Sequence, residues 1–232
     1  MDHDTRARRS IRETAAPVSL HEQLRGVYED GRRIIPAELA EIMDRNGNEL
    51  AASGLAERAL GVGAPAPRFT LPTATGRQLA LDELLAEGPV VVTFYRGAWC
   101  PFCNLALRAL QEQHDAITAR GARLVAVSPQ IPDESLTLAE KEQLAFDVLS
   151  DLGSEVAARF GIAFDLSDEL GALYDQWGFD LERVNAGHSR TLPLPATFVI
   201  DRTGVIRWTF VAADYTVRAE PADVLAALDA LG

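Results

Sequence analysis

Cys100 and Cys103 are the only two cysteines in a chain of 232 residues, and they stand three positions apart. The run Phe94-Tyr95-Arg96-Gly97-Ala98-Trp99-Cys100-Pro101-Phe102-Cys103 reads as a strand end, a tight loop and the first turn of a helix. Pro101 suits that first turn, where its missing N–H costs nothing. Cys100 is then at the helix edge, where free backbone N–H groups and the helix dipole favour a thiolate. Cys103 is about one turn further in, so its sulfur can reach Cys100. Such a pair can cycle between dithiol and disulfide, the outer sulfur attacking and the inner one resolving. The expectation is an acidified Cys100 exposed enough to attack, and a shielded Cys103. Two other readings compete. Half of a zinc site is one, but there is no second cysteine pair, and His3, His21, His114 and His188 lack ligand spacing. Chance burial of two small hydrophobes is the other. The strand–turn–helix context favours redox chemistry, with no metal and no cofactor expected.

The elements that must position this pair follow from periodicity. Residues 90–95 (VVVTFY) are β-branched and aromatic and read as a buried central strand; 124–127 is a second. Residues 100–120 read as one helix, and 133–144 as another. A hairpin is expected at 69–71 and 78–81, a helix at 81–87, a short strand at 148–149 and a helix at 154–160. Residues 196–200 and 205–211 pair across Asp201-Arg202-Thr203-Gly204, and 221–231 closes the chain as a helix. Residues 162–194 are less regular, with one helix near 167–177. A βαβ half followed by a ββα half gives an α/β fold around one mixed sheet. Upstream, Val18, Leu20, Leu24 and Val27 mark one helix, and Pro36 opens a second carrying Leu39, Ile42, Met43 and Leu50. Gly61, Gly63, Pro65 and Pro67 make a linker, so the expected division is 1–62, tail and helical extension, and 63–232, the main domain.

Composition narrows the partners. The net charge of −12 repels phosphate backbones and anionic lipid heads, which argues against nucleic acid and membrane surfaces. The first twenty residues mix Arg6, Arg8, Arg9 and Arg12 with Asp2, Asp4 and Glu13, and no apolar stretch follows. They read as a solvated tail rather than a secretory signal, so a cytoplasmic location is expected.

The thiol stretch resembles the thioredoxin superfamily. Within it, the chain is similar to the peroxiredoxin-like group, the alkyl hydroperoxide reductase/thiol-specific antioxidant family. Gly63-Ala64-Pro65-Ala66-Pro67-Arg68-Phe69-Thr70-Leu71 looks like that group's opening segment, and Cys100-Pro101 matches its peroxidatic Cys-Pro pair. Thr197-Phe198-Val199-Ile200-Asp201 with Gly204-Val205-Ile206 matches the late hairpin. The resemblance covers 63–230 and implies a thioredoxin-like fold, a central mixed sheet flanked by helices, here with an N-terminal helical extension. The chain departs from the pattern at four places. Gly97 stands where Thr or Ser is usual, Thr93 where Pro is, Cys103 where Glu often is, and Pro195 where the family's catalytic Arg is. A proline there is what thioredoxins use in cis, facing their Cys-x-x-Cys.

This resemblance implies a thiol-dependent peroxidase. Cys100 attacks hydrogen peroxide or an organic hydroperoxide, Cys103 closes a disulfide on the sulfenic acid, and thioredoxin or a similar thiol donor restores both. Arg96, on the same loop, is the expected donor to the peroxide; an ordinary strand-end salt bridge is the competing reading. Trp99, Pro195 and Thr197 are the expected substrate-side residues, with Trp99 shielding the site or presenting a docking face. His188 and Arg190 read as loop residues, and Asp214, Tyr215 and Arg218 as structural only. A homodimer is left open. The alternatives are a thioredoxin-like disulfide reductase on the same cysteines and a redox sensor that does not turn over.

Overall fold

The computed structural model describes residues 18–132, 134, 143–187 and 190–232; most of the expected 133–144 helix, the tail before residue 18 and His188 lie outside them. The chain opens with an arm of helices, α1 (Leu20–Ile34), α2 (Ala37–Ala52) and α3 (Leu55–Arg58). Ser19 starts α1 with a reciprocal cap: its hydroxyl accepts from the Glu22 amide at 3.2 Å, and the Glu22 carboxylate accepts from the Ser19 amide at 3.0 Å. A hairpin of β1 (Thr70–Pro72) and β2 (Gln78–Ala80) leads into α4 (Leu81–Glu87) and β3 (Val90–Phe94). Next come α5 (Pro101–Glu112), α6 (His114–Ala119), β4 (Arg123–Ser128) and β5 (Asp147–Ser150). The expected single helix over 100–120 is therefore two. Gln113 leaves helical geometry at ψ 6°, and its N–H bonds the Leu110 carbonyl in a tightened last turn.

After α7 (Glu155–Arg159) the segment expected to be irregular forms a small lobe. β6 (Ala163–Asp165) pairs antiparallel with β7 (Thr191–Pro193), and α8 (Asp168–Gln176) and α9 (Leu181–Val184) lie between them. Three-residue strands carry too little alternation to be read from sequence. β8 (Ala196–Ile200), β9 (Ile206–Val211) and α10 (Pro221–Asp229) finish the chain.

The main sheet has the order β5-β4-β3-β8-β9. β3, β4 and β5 run parallel, while β8 is antiparallel to β3 and β9 to β8. Because side chains alternate along a strand, each strand feeds both layers of core. Val90, Val92 and Phe94 face one layer with Phe160 and Phe198. Val91 and Tyr95 face the other, which holds Cys100, Cys103, Leu107 and Leu110. Leu20 and Leu24 of α1, 3% and 2% exposed, belong to that second layer. The apolar stripe of α1 thus finds its partner in the thiol-bearing α5. The Glu220 carboxylate ahead of α10 fixes the end of the arm by accepting from the Leu20 and His21 amides at 3.3 and 2.6 Å.

Asp201 closes the β8–β9 turn by accepting from the Thr203 amide and hydroxyl, the Val205 amide and the Arg207 guanidinium. Burial alone would raise its pKa, but these donors hold it down at about 2. The folded value lies below the unfolded one of about 3.9, so the carboxylate stabilises the fold above that pH and loses its contribution as pH falls through the folded value. Asp201→Asn is expected to lower stability by about 1 kcal/mol near neutrality. Urea denaturation against pH should show the deficit vanishing at the acid end.

Candidate thiol site

The sulfurs are placed by the loop between β3 and α5. Gly97 adopts a φ of +149°, and a Cβ there would lie 2.3 Å from the Trp99 ring nitrogen and 3.2 Å from the Gln130 side chain. Only glycine fits. Gln130, 1% exposed beyond the end of β4, accepts from the Ala98 amide at 2.6 Å. The Asn104 amide group donates to the Ala98 carbonyl at 2.9 Å. Both braces escaped sequence reasoning, since a lone Gln or Asn in a loop or helix carries no motif. Cys100 caps α5 with extended backbone, and its carbonyl takes the Cys103 and Asn104 amides.

The expected exposure of Cys100 does not hold. Cys100 is 2% exposed and Cys103 fully buried, both as free thiols. The reason is the roof. The end of α1 and the small lobe close over the loop, leaving a cavity of about 560 Å³ whose wall includes Cys100 but not Cys103. Val27, Tyr28, Ile34 and Ile35 come to it from the arm, and Tyr174, Trp177 and Phe179 from the lobe. A second cavity of about 230 Å³ lies behind, lined by Met43, Pro195 and Leu194. Arg96, Tyr174 and Tyr215 border both.

The expected acidity is reversed as well. Cys100 is pushed well above the ordinary thiol range, first by its hydrogen bond to Cys103 and then by burial. Burial is also the largest influence on Cys103 and would raise it, yet Cys103 is held well below that range. The Cys100 thiol donates to it, the Arg218 guanidinium donates at 3.0 Å, and the Arg96 backbone amide and guanidinium add to the pull. A helix edge gives Cys100 partial charges, whereas Cys103 receives a full positive charge at contact.

Arg96 is 3% exposed. Its guanidinium lies 4.8 Å from the Trp99 ring centre, 5.2 Å from that of Tyr215 and 5.5 Å from that of Tyr174, and it donates to the Tyr174 hydroxyl. Among the described residues it pairs with no carboxylate, so the ordinary salt-bridge reading fails. Burial works against its charge, but Tyr174, Cys100 and Cys103 raise its pKa and keep it protonated. Trp99 also packs on Tyr174 and Phe179, both ring centres at 5.3 Å, and joins the wall of the larger cavity. Pro195 departs from expectation: its peptide bond is trans, and it lines only the smaller cavity. It bridges β7 and β8, its carbonyl accepting from the Ala212 amide at 3.1 Å. Thr197 lines neither of these two cavities. Its hydroxyl meets that of Thr93 at 3.0 Å inside the sheet. Arg190 turns toward Asp168 at 3.6 Å, and no group of three or more His, Cys, Asp or Glu able to hold a metal occurs among the described residues.

Residues 62–209 match the model of the AhpC/TSA family. The chain belongs to the AhpC/TSA family. It is 33% identical over 116 residues to peroxiredoxin Bcp of Escherichia coli K12, spanning 50% of this chain and 73% of that protein. It is 28% identical over 141 residues to the chloroplastic peroxiredoxin Q of Populus jackii, spanning 61% of this chain but only 55% of the relative. Peroxidoxin BcpB from Mycobacterium tuberculosis superposes with a TM-score of 0.59 at 24% identity, over 75% of this chain and 99% of that one, a likeness of fold. The AhpC/TSA match includes Cys100 and Cys103 but neither the arm helices nor Arg218. The lobe side of the roof thus lies within the matched residues, and its arm side lies outside them.

Gly97→Ala should force Trp99 or Gln130 to move and strain the backbone. A stability loss of roughly 1–3 kcal/mol is expected by denaturant titration, with a matching change in the alkylation rate of Cys100.

Proposed function

We propose that the chain is a thiol-dependent peroxidase in which Cys100 attacks a hydroperoxide and Cys103 resolves the sulfenic acid as an intramolecular disulfide. Family membership supports the reaction class. The single observation that carries the site assignment is that Cys100, and not Cys103, lines the cavity between arm and lobe. A hydroperoxide entering there meets Cys100 with the Arg96 guanidinium on the same wall. Arg96 cannot easily lose its proton and, among the described residues, pairs with no carboxylate, so its charge is available to the leaving oxygen. The apolar lining from Tyr28, Ile35, Trp177 and Phe179 favours organic hydroperoxides over hydrogen peroxide.

The disulfide-reductase alternative is less well supported. A protein disulfide needs an open face around the attacking sulfur, and Cys100 is roofed by α1 and the lobe. The trans Pro195 also removes the likeness to thioredoxin that favoured that reading. Recycling of the disulfide falls to a thiol donor, thioredoxin or a small thiol. A cytoplasmic location suits a pair that must return to the dithiol.

The test is hydroperoxide consumption with a thiol donor, run beside insulin-disulfide reduction. Cys100→Ser should abolish consumption, and Cys103→Ser should accumulate a sulfenic acid on Cys100. Cumene hydroperoxide should show a KM about tenfold below that of hydrogen peroxide, from roughly 60 Å² of apolar surface buried. Efficient insulin reduction with no peroxide consumption above that of a free thiol would replace this function with the reductase one.

A further inference from the structure

Tyr174, on α8 of the small lobe, is 3% exposed and lines both cavities together with Arg96. Its ring is held between those of Trp99 at 5.3 Å, Phe179 at 5.9 Å and Trp177 at 6.1 Å. Its hydroxyl meets the Arg96 Nη2. A guanidinium has no acceptor, so the phenol oxygen accepts in this bond and keeps its own proton to give. Among the described residues no group accepts that proton. An oxygen that accepts from a cation polarises its own O–H, which makes it a stronger donor.

The thiol loop brings no second group of this kind. Residues 96–103, Arg-Gly-Ala-Trp-Cys-Pro-Phe-Cys, hold no hydroxyl, carboxyl or amide side chain. The other polar groups on the wall of the larger cavity are engaged differently. Asp30 is paired with Arg33 at 2.6 Å, and Arg32 with Asp44 at 3.0 Å. Tyr28 is half-exposed, with the Arg32 guanidinium 5.9 Å from its ring centre. Tyr215 meets Arg96 through its ring, 5.2 Å from the guanidinium. Only the Tyr174 hydroxyl, among those described, bonds directly to the cation that shares a wall with Cys100.

We propose that Tyr174 is a catalytic residue of this site, the acid that gives a proton to the leaving oxygen of the hydroperoxide while Arg96 holds the phenolate left behind. This rests on the peroxidase function above and extends it. Cys100, as the thiolate, attacks the terminal oxygen of the hydroperoxide. The S–O bond forms and the O–O bond breaks, so the sulfur is oxidised to the sulfenic acid and the peroxide is reduced. The inner oxygen leaves with the electron pair of the broken bond, takes the phenol proton of Tyr174 and departs as alcohol. The phenolate, next to the Arg96 guanidinium, is reprotonated by solvent. Arg96 thus acts on the leaving oxygen partly through Tyr174.

The experiment compares two oxidants that differ in what their leaving group needs. An alkoxide leaving from tert-butyl hydroperoxide needs a proton, whereas the acetate leaving from peracetic acid is stable as the anion near neutral pH. Single-turnover oxidation of Cys100 is followed by mass in the full chain and in Tyr174→Phe, which keeps the ring and its packing. The substitution should slow oxidation by tert-butyl hydroperoxide about a hundredfold and oxidation by peracetic acid about threefold or less. A merely structural role would slow both alike. In the unsubstituted protein, deuterated water should slow the reaction with tert-butyl hydroperoxide more than that with peracetic acid, a readout that does not depend on the variant's folding. Equal slowing of the two oxidants by Tyr174→Phe, no slowing of either, or equal solvent isotope effects overturns the proposal. Oxidation of Cys100 in the unsubstituted protein no faster than that of a free thiol, with either oxidant, would remove the peroxidase function itself and the role of Tyr174 with it.

Discussion

Two guanidinium groups converge on two buried sulfurs with no described carboxylate between them, and much of the site follows from that imbalance. A buried cation needs a counter-charge or a polarisable neighbour. Arg96 finds three aromatic faces and a phenol, and Arg218 finds a sulfur. The aromatic faces stabilise Arg96 without neutralising it. The pair therefore sits in a positive, buried setting, where electrostatic effects exceed those in water. Tyr215 shares this setting; burial foremost, with the neighbouring Tyr174, raises its phenol pKa and leaves it neutral beside Arg96.

The roof gives that pocket its apolar wall. α1 is held at its start by Glu220 and along its length by Leu20 and Leu24 in the core, which orients its far end over Cys100. α2 is tied to the lobe through Arg45 with Glu169 at 2.5 Å, and through the Ser167 hydroxyl donating to Asn46. These are half-exposed contacts, each worth on the order of 1 kcal/mol or less. The roof is thus joined firmly at one end and weakly at the other.

Sulfur placement and charge placement come from different parts of the chain. The loop 96–99, braced by Gln130 and Asn104, fixes where the sulfurs are. The loop 214–218 brings a guanidinium onto one of them, Cys103. The two loops belong to β3 and β9, separated in the sheet only by β8. Antiparallel pairing of β8 with both strands carries the end of β9 to the same edge as the end of β3. The sheet topology is what brings a residue 115 positions away in sequence onto Cys103.

Residues 90–95, 100–103 and 196–211 showed the sheet core, the thiol pair and the late hairpin plainly, because alternation, a Cys-x-x-Cys after a strand and a turn between β-branched runs are local signals. The apolar stripe of α1 was equally legible, though not its partner. What the chain's order could not convey was direction. Trp177 and Phe179 read as part of an irregular stretch, and Arg218 as a structural residue, since nothing local says where a loop returns. The helix-edge argument likewise placed the charge on Cys100. Local helix geometry supplies partial charges to that position, but tertiary folding places a full charge against its neighbour, and over a contact of 3.0 Å the full charge prevails. Sequence alone determined that two thiols would stand one turn apart at the start of a helix that follows a sheet strand. Only the tertiary structure decided which sulfur faces the cavity and which one meets the Arg218 guanidinium.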